Sequence, residues 1–204
     1  MSEVKKIAIL PLKAVLKDEI ENISKEYSEY AIVVGLDLLK VDDELVASIE
    51  NNEKENLIDL AEISKKYVKT PFCVNINCKN LNEFISVEDK FKLLAQDRFL
   101  FVSSENKKIL KYIKSNYCKT VVIFMTAFDV AKFYFFNEIG LNFLLNKIEG
   151  DAVLIPERSG LVKFSRNSFI SKLKELNISI FIYTDKNIKD SNYDYASGFY
   201  LLIN

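Results

Sequence analysis

Eight short runs of β-branched, aromatic and other apolar residues recur along this chain, and their near-regular spacing limits its fold more than any other feature. They are Ile7–Leu10, Ala31–Leu36, Phe72–Asn77, Phe99–Ser103, Val121–Met125, Ala152–Ile155, Ile178–Tyr183 and Phe199–Ile203. Most are continuously apolar instead of alternating, the pattern of strands covered on both faces of a parallel sheet. Charged segments with helical spacing lie between them. Leu16, Ile20, Ile23, Tyr27 and Tyr30 advance by steps of four and three, and Ile109, Leu110, Ile113 and Tyr117 form a second stripe. Each stripe predicts a helix with one buried face.

Eight βα units in 204 residues leave about 25 residues apiece, enough for a small closed barrel. The expected fold is therefore α/β, a compact (β/α)8 TIM barrel, with residues 1–204 as a single domain. A doubly wound open sheet gives the same alternation, but eight strand candidates and a last run able to pair with the first favour closure. With only 5 glycines and none in a phosphate-loop pattern, a Rossmann or P-loop nucleotide site is not expected.

Composition narrows the chemistry. At 49% apolar residues the chain is no disordered segment. Its 28 basic against 29 acidic residues give a net charge of −1, without the basic excess that nucleic acid or an anionic membrane surface attracts. There is no histidine, which excludes Ser-His-Asp and Cys-His nucleophile systems, histidine acid–base catalysis and histidine-containing zinc sites. Cys73, Cys78 and Cys118 fall one ligand short of a thiolate zinc centre and read as reduced thiols. No secretion signal is visible at the N-terminus. The greasiest stretch, Thr120 to Asn146, is broken by Asp129, Lys132 and Glu138, so no membrane insertion is expected and the predicted location is cytoplasmic.

In a barrel of this type the site is built at the carboxyl ends of the strands. Asn75, Asn77 and Lys79 share one parity at the end of the third run and are expected to face the mouth. Asp37 follows Gly35 at the end of the second run, with Lys40 three residues on. An Asp37–Lys79 pair reads equally as a structural ion pair or as part of a ligand site. The sixth run ends in Pro156-Glu157-Arg158-Ser159-Gly160, either an anion-holding loop or a solvated turn. Tyr183 and Asp185 end the seventh, where Tyr183 reads as a mouth residue or as a core tyrosine with a wet hydroxyl. The segment Phe133-Tyr134-Phe135-Phe136 is apolar on more than one helical face, so it packs internally or joins a second copy in a homodimer.

Several of these segments together resemble the glycerophosphodiester phosphodiesterase family, whose fold is a (β/α)8 barrel. Gly35-Leu-Asp-Leu-Leu-Lys-Val-Asp-Asp-Glu-Leu-Val is similar to that family's second strand and turn, Glu-Leu-Asp-Val followed by Thr-Lys-Asp-Gly. Asn56-Leu-Ile-Asp-Leu-Ala-Glu-Ile and Cys73-Val-Asn-Ile-Asn-Cys-Lys are similar to its leucine-rich helix and Glu-x-Lys strand. Phe101-Val-Ser-Ser-Glu-Asn is similar to its Ser-Phe strand, and Leu176–Thr184 with Ala196–Asn204 to its two closing strands.

The departures fall where the family's chemistry lies. Ile9-Leu10-Pro11-Leu12 stands in place of His-Arg-Gly, and Ile49-Glu50-Asn51 stands near the position of the second catalytic histidine. Of the family's three metal-binding carboxylates, the first aligns with Gly35, the second is Asp37 and the third aligns with Asn77. One carboxylate is a poor holder of Mg2+ or Ca2+, so no cofactor or metal site is expected, with Asp37 the sole weak ligand. The resemblance thus implies a barrel without the family's hydrolysis, binding a phosphate-bearing small molecule through Asp37, Lys40, Asn75, Asn77, Lys79, Glu157, Arg158 and Tyr183, or regulating a partner. Two other readings stand beside it: an active phosphodiesterase or lyase/aldolase-like barrel using Lys79 and Asp37 as catalytic groups, and a non-catalytic scaffold associating through Phe133–Phe136.

Overall fold

The computed structural model describes residues 6–17, 25, 27–49, 57–68, 70–96, 98–117, 119–141, 143, 145, 149–156, 164, 166–184 and 193–201. The strands are β1 (Lys6–Pro11), β2 (Tyr30–Val41), β3 (Glu44–Ser48), β4 (Leu57–Asp59), β5 (Phe72–Ile76), β6 (Leu100–Ser103), β7 (Val121–Ile123), β8 (Ala152–Pro156), β9 (Ser179–Thr184) and β10 (Gly198–Leu201). The helices are α1 (Leu12–Lys17), α2 (Leu60–Lys66), α3 (Leu81–Ile85), α4 (Glu88–Ala95), α5 (Lys107–Tyr117), α6 (Ala127–Glu138) and α7 (Asn167–Glu175).

Each of the eight apolar runs contributes one strand to a parallel sheet of order β7-β6-β5-β2-β1-β10-β9-β8. Its two ends nearly meet. Phe124, just past β7, bridges Ala152 in parallel, and the Asp151 and Met125 amides donate to the Ile123 and Ala152 carbonyls at 2.8 Å each. The result is a nearly closed, barrel-like sheet of eight parallel strands; a doubly wound sheet would leave β7 and β8 far apart.

The register has a definite stagger. Pro11 lies beside Gly35, Gly35 beside Cys73, Cys73 beside Phe101 and Phe101 beside Val122. Phe124 then leads to Ala152 and Ser179, while Phe181 leads through Gly198 to Ile7. Val122 is two residues before Phe124 and Ser179 two before Phe181, so a circuit leaving at Pro11 returns four residues short of Ile7, eight residues from its start.

Strand parity splits the core into two layers. Inside the sheet lie Ile9, Val33, Cys73, Phe101, Phe124, Ala152 and Phe181, with Tyr200 partly buried against them. Phe101, Phe124 and Phe181 form a mutually packed trio, with ring centroids 5.2–6.0 Å apart, that fills the centre. The opposite parity, including Val34, Leu36, Val74, Val102, Ile155 and Ile182, faces the helices. On α5, Ile109, Leu110 and Ile113 supply the buried stripe, as their spacing predicts. At α6 the Thr126 hydroxyl caps the helix by accepting from the Asp129 amide at 3.1 Å.

Three expectations change. Residues 18–24 of the predicted Leu16-to-Tyr30 helix lie outside the described residues, and Tyr30 opens β2, paired with Lys6, because the edge of β1 takes its backbone. The second run does not stop at Leu36: β2 continues to Val41 and turns back through Asp42, in the left-handed region at φ 53°, into antiparallel β3. The third run ends at Ile76, although the Asn77 amide still donates to the Leu38 carbonyl at 2.9 Å. Among the described residues, no helix is long and apolar enough to cross a membrane.

Candidate functional site

At the carboxyl end of the sheet the inward parity turns polar. Asp37, Asn75 and Ser103 occupy matching register positions on β2, β5 and β6. The Asn75 side-chain amide donates to Asp37 Oδ1 at 2.9 Å, and the Ser103 hydroxyl donates to Asn75 Oδ1 at 3.1 Å. This hydrogen-bonded row sits above the phenylalanine trio. Tyr183 and Tyr200 complete the floor from β9 and β10, with ring centroids 5.5 Å apart. Burial, then the neighbouring Cys73 and Asp37, raise the Tyr200 hydroxyl well above its ordinary range; burial, then Asp37, raise Tyr183. Both are protonated at neutral pH and present hydroxyl groups to the mouth. Burial pushes the Cys73 thiol up to about 12, with Asp37 adding to it, so it is no nucleophile.

Asn77 links the row to a neighbouring cavity. Its Oδ1 accepts a long 3.5 Å contact from Asn75 Nδ2, and it also lines a cavity of about 480 Å3 between the loops after β5 and β6. Lys79, Ser104, Glu105, Asn106 and Lys107 line the same cavity. The Asn106 amide donates to the Lys79 carbonyl at 3.1 Å and ties the two loops together. Lys107 reaches back to buried Asp129 at 2.5 Å. A larger cavity of about 650 Å3 lies between α5 and the segment before β8, with Lys107 bordering both cavities. It is spanned by Lys111–Glu149 at 3.3 Å and Lys114–Asp151 at 2.6 Å, contacts that lock α5 to that segment.

The sequence-derived residues are thus only partly brought together. Asp37 and Asn75 touch, Tyr183 stands near them, and Asn77 lies at the edge. Lys79 is exposed on the turn before α3, because β5 ends three residues earlier and the strand parity no longer directs it. It makes no ion pair with Asp37 and lacks the apolar enclosure on which a Schiff-base lysine depends. Lys40 is an odd number of residues from Asp37 on β2 and faces the helices, donating to Ser86 Oγ at 3.1 Å. Glu157, Arg158, Asp185 and Cys118 lie outside the described residues. Ser103, Asn106, Lys107 and Tyr200 were not singled out from sequence; the parity of Ser103 within its run was the available signal.

The chain matches no protein-family model and no curated protein sequence. The phosphodiesterase resemblance therefore rests on its own segments, and the site can be set against it directly. Where the family's first metal carboxylate aligns, a Cβ on Gly35 would lie 3.1 Å from the Tyr200 hydroxyl and 3.3 Å from the Leu10 carbonyl. A side chain there would require the Tyr200 hydroxyl and the Leu10 carbonyl to give way by a few tenths of an ångström. Asp37 accepts one amide donor at Oδ1, and among the described residues no three of histidine, cysteine, aspartate and glutamate converge. These donors do not fit a divalent cation.

Proposed function

We propose that this chain is a (β/α)8 barrel of the TIM type, similar to the glycerophosphodiester phosphodiesterases, that has lost hydrolysis and binds a phosphorylated small molecule at the carboxyl ends of its strands. The eight-residue return of the register in an eight-stranded parallel sheet supports the fold, since that is the stagger of this barrel class. The observation that carries the function is the position of Asn77, shared between the Asp37–Asn75–Ser103 row and the cavity bearing Lys79 and Lys107. A ligand with hydroxyl groups at one end and a phosphate at the other spans the two.

The row supplies carboxylate, amide and hydroxyl partners for a polyol, while the exposed Lys79 ammonium and the second hydrogen of the Asn106 side-chain amide supply bonds to a phosphate, Lys107 being engaged with Asp129. Glu105 on the cavity wall opposes a highly charged anion, so the polyol end contributes to selectivity. Hydrolysis has no support in these groups. Without a histidine, the proton transfers that the family's two histidines carry, typically worth about 10²–10⁴-fold in rate, have no counterpart at the aligned positions.

Calorimetric titration with glycerol 3-phosphate and with a glycerophosphodiester, each with and without Mg2+ or Ca2+, tests the proposal while the diester is followed for hydrolysis. The expected result is metal-independent binding with the diester intact. Metal-dependent hydrolysis, or no binding of either compound, overturns it.

A further inference from the structure

The floor of the barrel mouth offers a ligand more than a glycerol chain can use. Tyr183 on β9 and Tyr200 on β10 are direct partners in the register, their ring centroids 5.5 Å apart and their planes at 38°. Tyr183 leans on Tyr200 and is still 38% exposed, so a flat apolar surface opens into the mouth. Tyr200 reaches across β1 to β2: its hydroxyl lies 3.1 Å from where a Cβ on Gly35 would stand, and Asp37 is the next inward residue beyond Gly35. The tyrosine pair and the half-buried Asp37–Asn75–Ser103 row thus border one floor.

Hydrogen-bonding capacity on this floor is left over. Asp37 takes the Asn75 amide at Oδ1, and among the described residues Oδ2 accepts nothing. The Ser103 hydroxyl gives its proton to Asn75 and keeps lone pairs to accept with. Neither tyrosine hydroxyl is hydrogen-bonded to a described residue, and burial keeps both protonated as donors. Acceptors and donors set beside an open aromatic face match a ring that carries hydroxyl groups on its rim and C–H groups on its face. A cyclic sugar has that form: its apolar face covers the aromatic ring while its hydroxyls bond to the polar groups around it. A glycerol chain has two free hydroxyls and no such face.

We propose that the ligand is a cyclic sugar monophosphate, its ring stacked on Tyr183, its hydroxyls bonded to Asp37 and Ser103, and its phosphate at the Lys79 cavity beyond Asn77. The assignment rests on the phosphate-binding reading of the mouth and names the class of polyol it selects. Asn77 carries the path between the two ends, touching Asn75 on one side and lining the Lys79 cavity on the other. Glu105 on that cavity wall favours a single phosphate over a more highly charged diphosphate.

Calorimetric titration of the full chain with glucose 6-phosphate, mannose 6-phosphate and ribose 5-phosphate, each set against glycerol 3-phosphate, tests the assignment. At least one sugar phosphate should bind about tenfold or more tighter than glycerol 3-phosphate. Tyr183→Leu keeps an apolar side chain beside Tyr200 but removes the flat face. It should weaken that sugar phosphate by about tenfold and change glycerol 3-phosphate by less than about twofold, with circular dichroism matching the wild type. If the variant does not fold, the wild-type ratio decides alone. Glycerol 3-phosphate binding as tightly as every sugar phosphate, or equal losses for both ligands in Tyr183→Leu, overturns this assignment and leaves the phosphate-binding reading standing. Silence from glycerol 3-phosphate and all the sugar phosphates together overturns both.

Discussion

Asn75 stands directly opposite Asp37 in the β2–β5 register and donates its side-chain amide to the Asp37 carboxylate at 2.9 Å. The amide at position 75 gives the carboxylate at the mouth a hydrogen-bond donor. Asn75→Asp replaces this bond with two facing carboxylates, so one of the pair is held above its unfolded value in the folded state. The folded chain then binds more protons than the unfolded one, and stability falls as pH rises through the carboxylate range. Urea denaturation should show the variant losing about 1–2 kcal/mol relative to wild type at pH 7, and much less at pH 4. Equal losses at both pH values would disprove the direct contact.

Phe181 is the hub of the interior trio, 5.4 Å from Phe101 and 5.2 Å from Phe124. Phe181→Ala should destabilise the chain by about 3–5 kcal/mol, because Phe101 on β6 and Phe124 just past β7 are held by their own backbones and cannot collapse into the cavity. A denaturation midpoint shifted by less than half of that would mean that the barrel centre relaxes.

Tyr117 and Tyr200 both titrate above the ordinary value of 10.0, burial being the first cause in each; for Tyr117 a 2.6 Å bond to Glu88 adds to it. A neutral phenol held in the fold keeps its proton where the unfolded phenol loses it. The stability linked to both groups is therefore complete below pH 10 and is lost as pH rises above it. Alkaline unfolding followed by circular dichroism should coincide with a late rise in tyrosinate absorbance, and Tyr200→Phe should move that midpoint upward.

Arg98 stacks over Phe72 at 4.7 Å and donates to the Ser64 hydroxyl at 2.8 Å and the Tyr67 carbonyl at 3.3 Å, closing the end of α2. Arg98→Lys keeps the charge but loses the planar fork, and should cost on the order of 1–2 kcal/mol in thermal or urea unfolding. Full retention of stability would show that the charge alone suffices.

Lys79 is placed to meet the phosphate end of the proposed ligand. Lys79→Met should weaken binding of glycerol 3-phosphate by about tenfold and flatten its salt dependence, leaving the unfolding midpoint unchanged. Unaltered affinity would remove Lys79 from the site.

The strands, their parallel pairing and the inward position of Asp37 and Asn75 could be read from the sequence, because apolar runs and strand parity are local properties. The same parity, applied from Asp37 to Lys40, would have turned Lys40 outward. Lys79 escaped it because β5 stops at Ile76, an ending fixed by where Leu38 of β2 accepts its last bond from Asn77. The β2–β3 hairpin was hidden because Asp42-Asp43 lacks the glycine that usually marks such a turn. What the sequence determined by itself was the layer each residue faces. Only the tertiary structure decided the stagger between strands, and with it the alignment of Asp37, Asn75 and Ser103 at one level and the placing of Tyr200 over Gly35. Stagger is a property of the nearly closed circuit of pairings: each must agree with all the others, and no single segment carries that information.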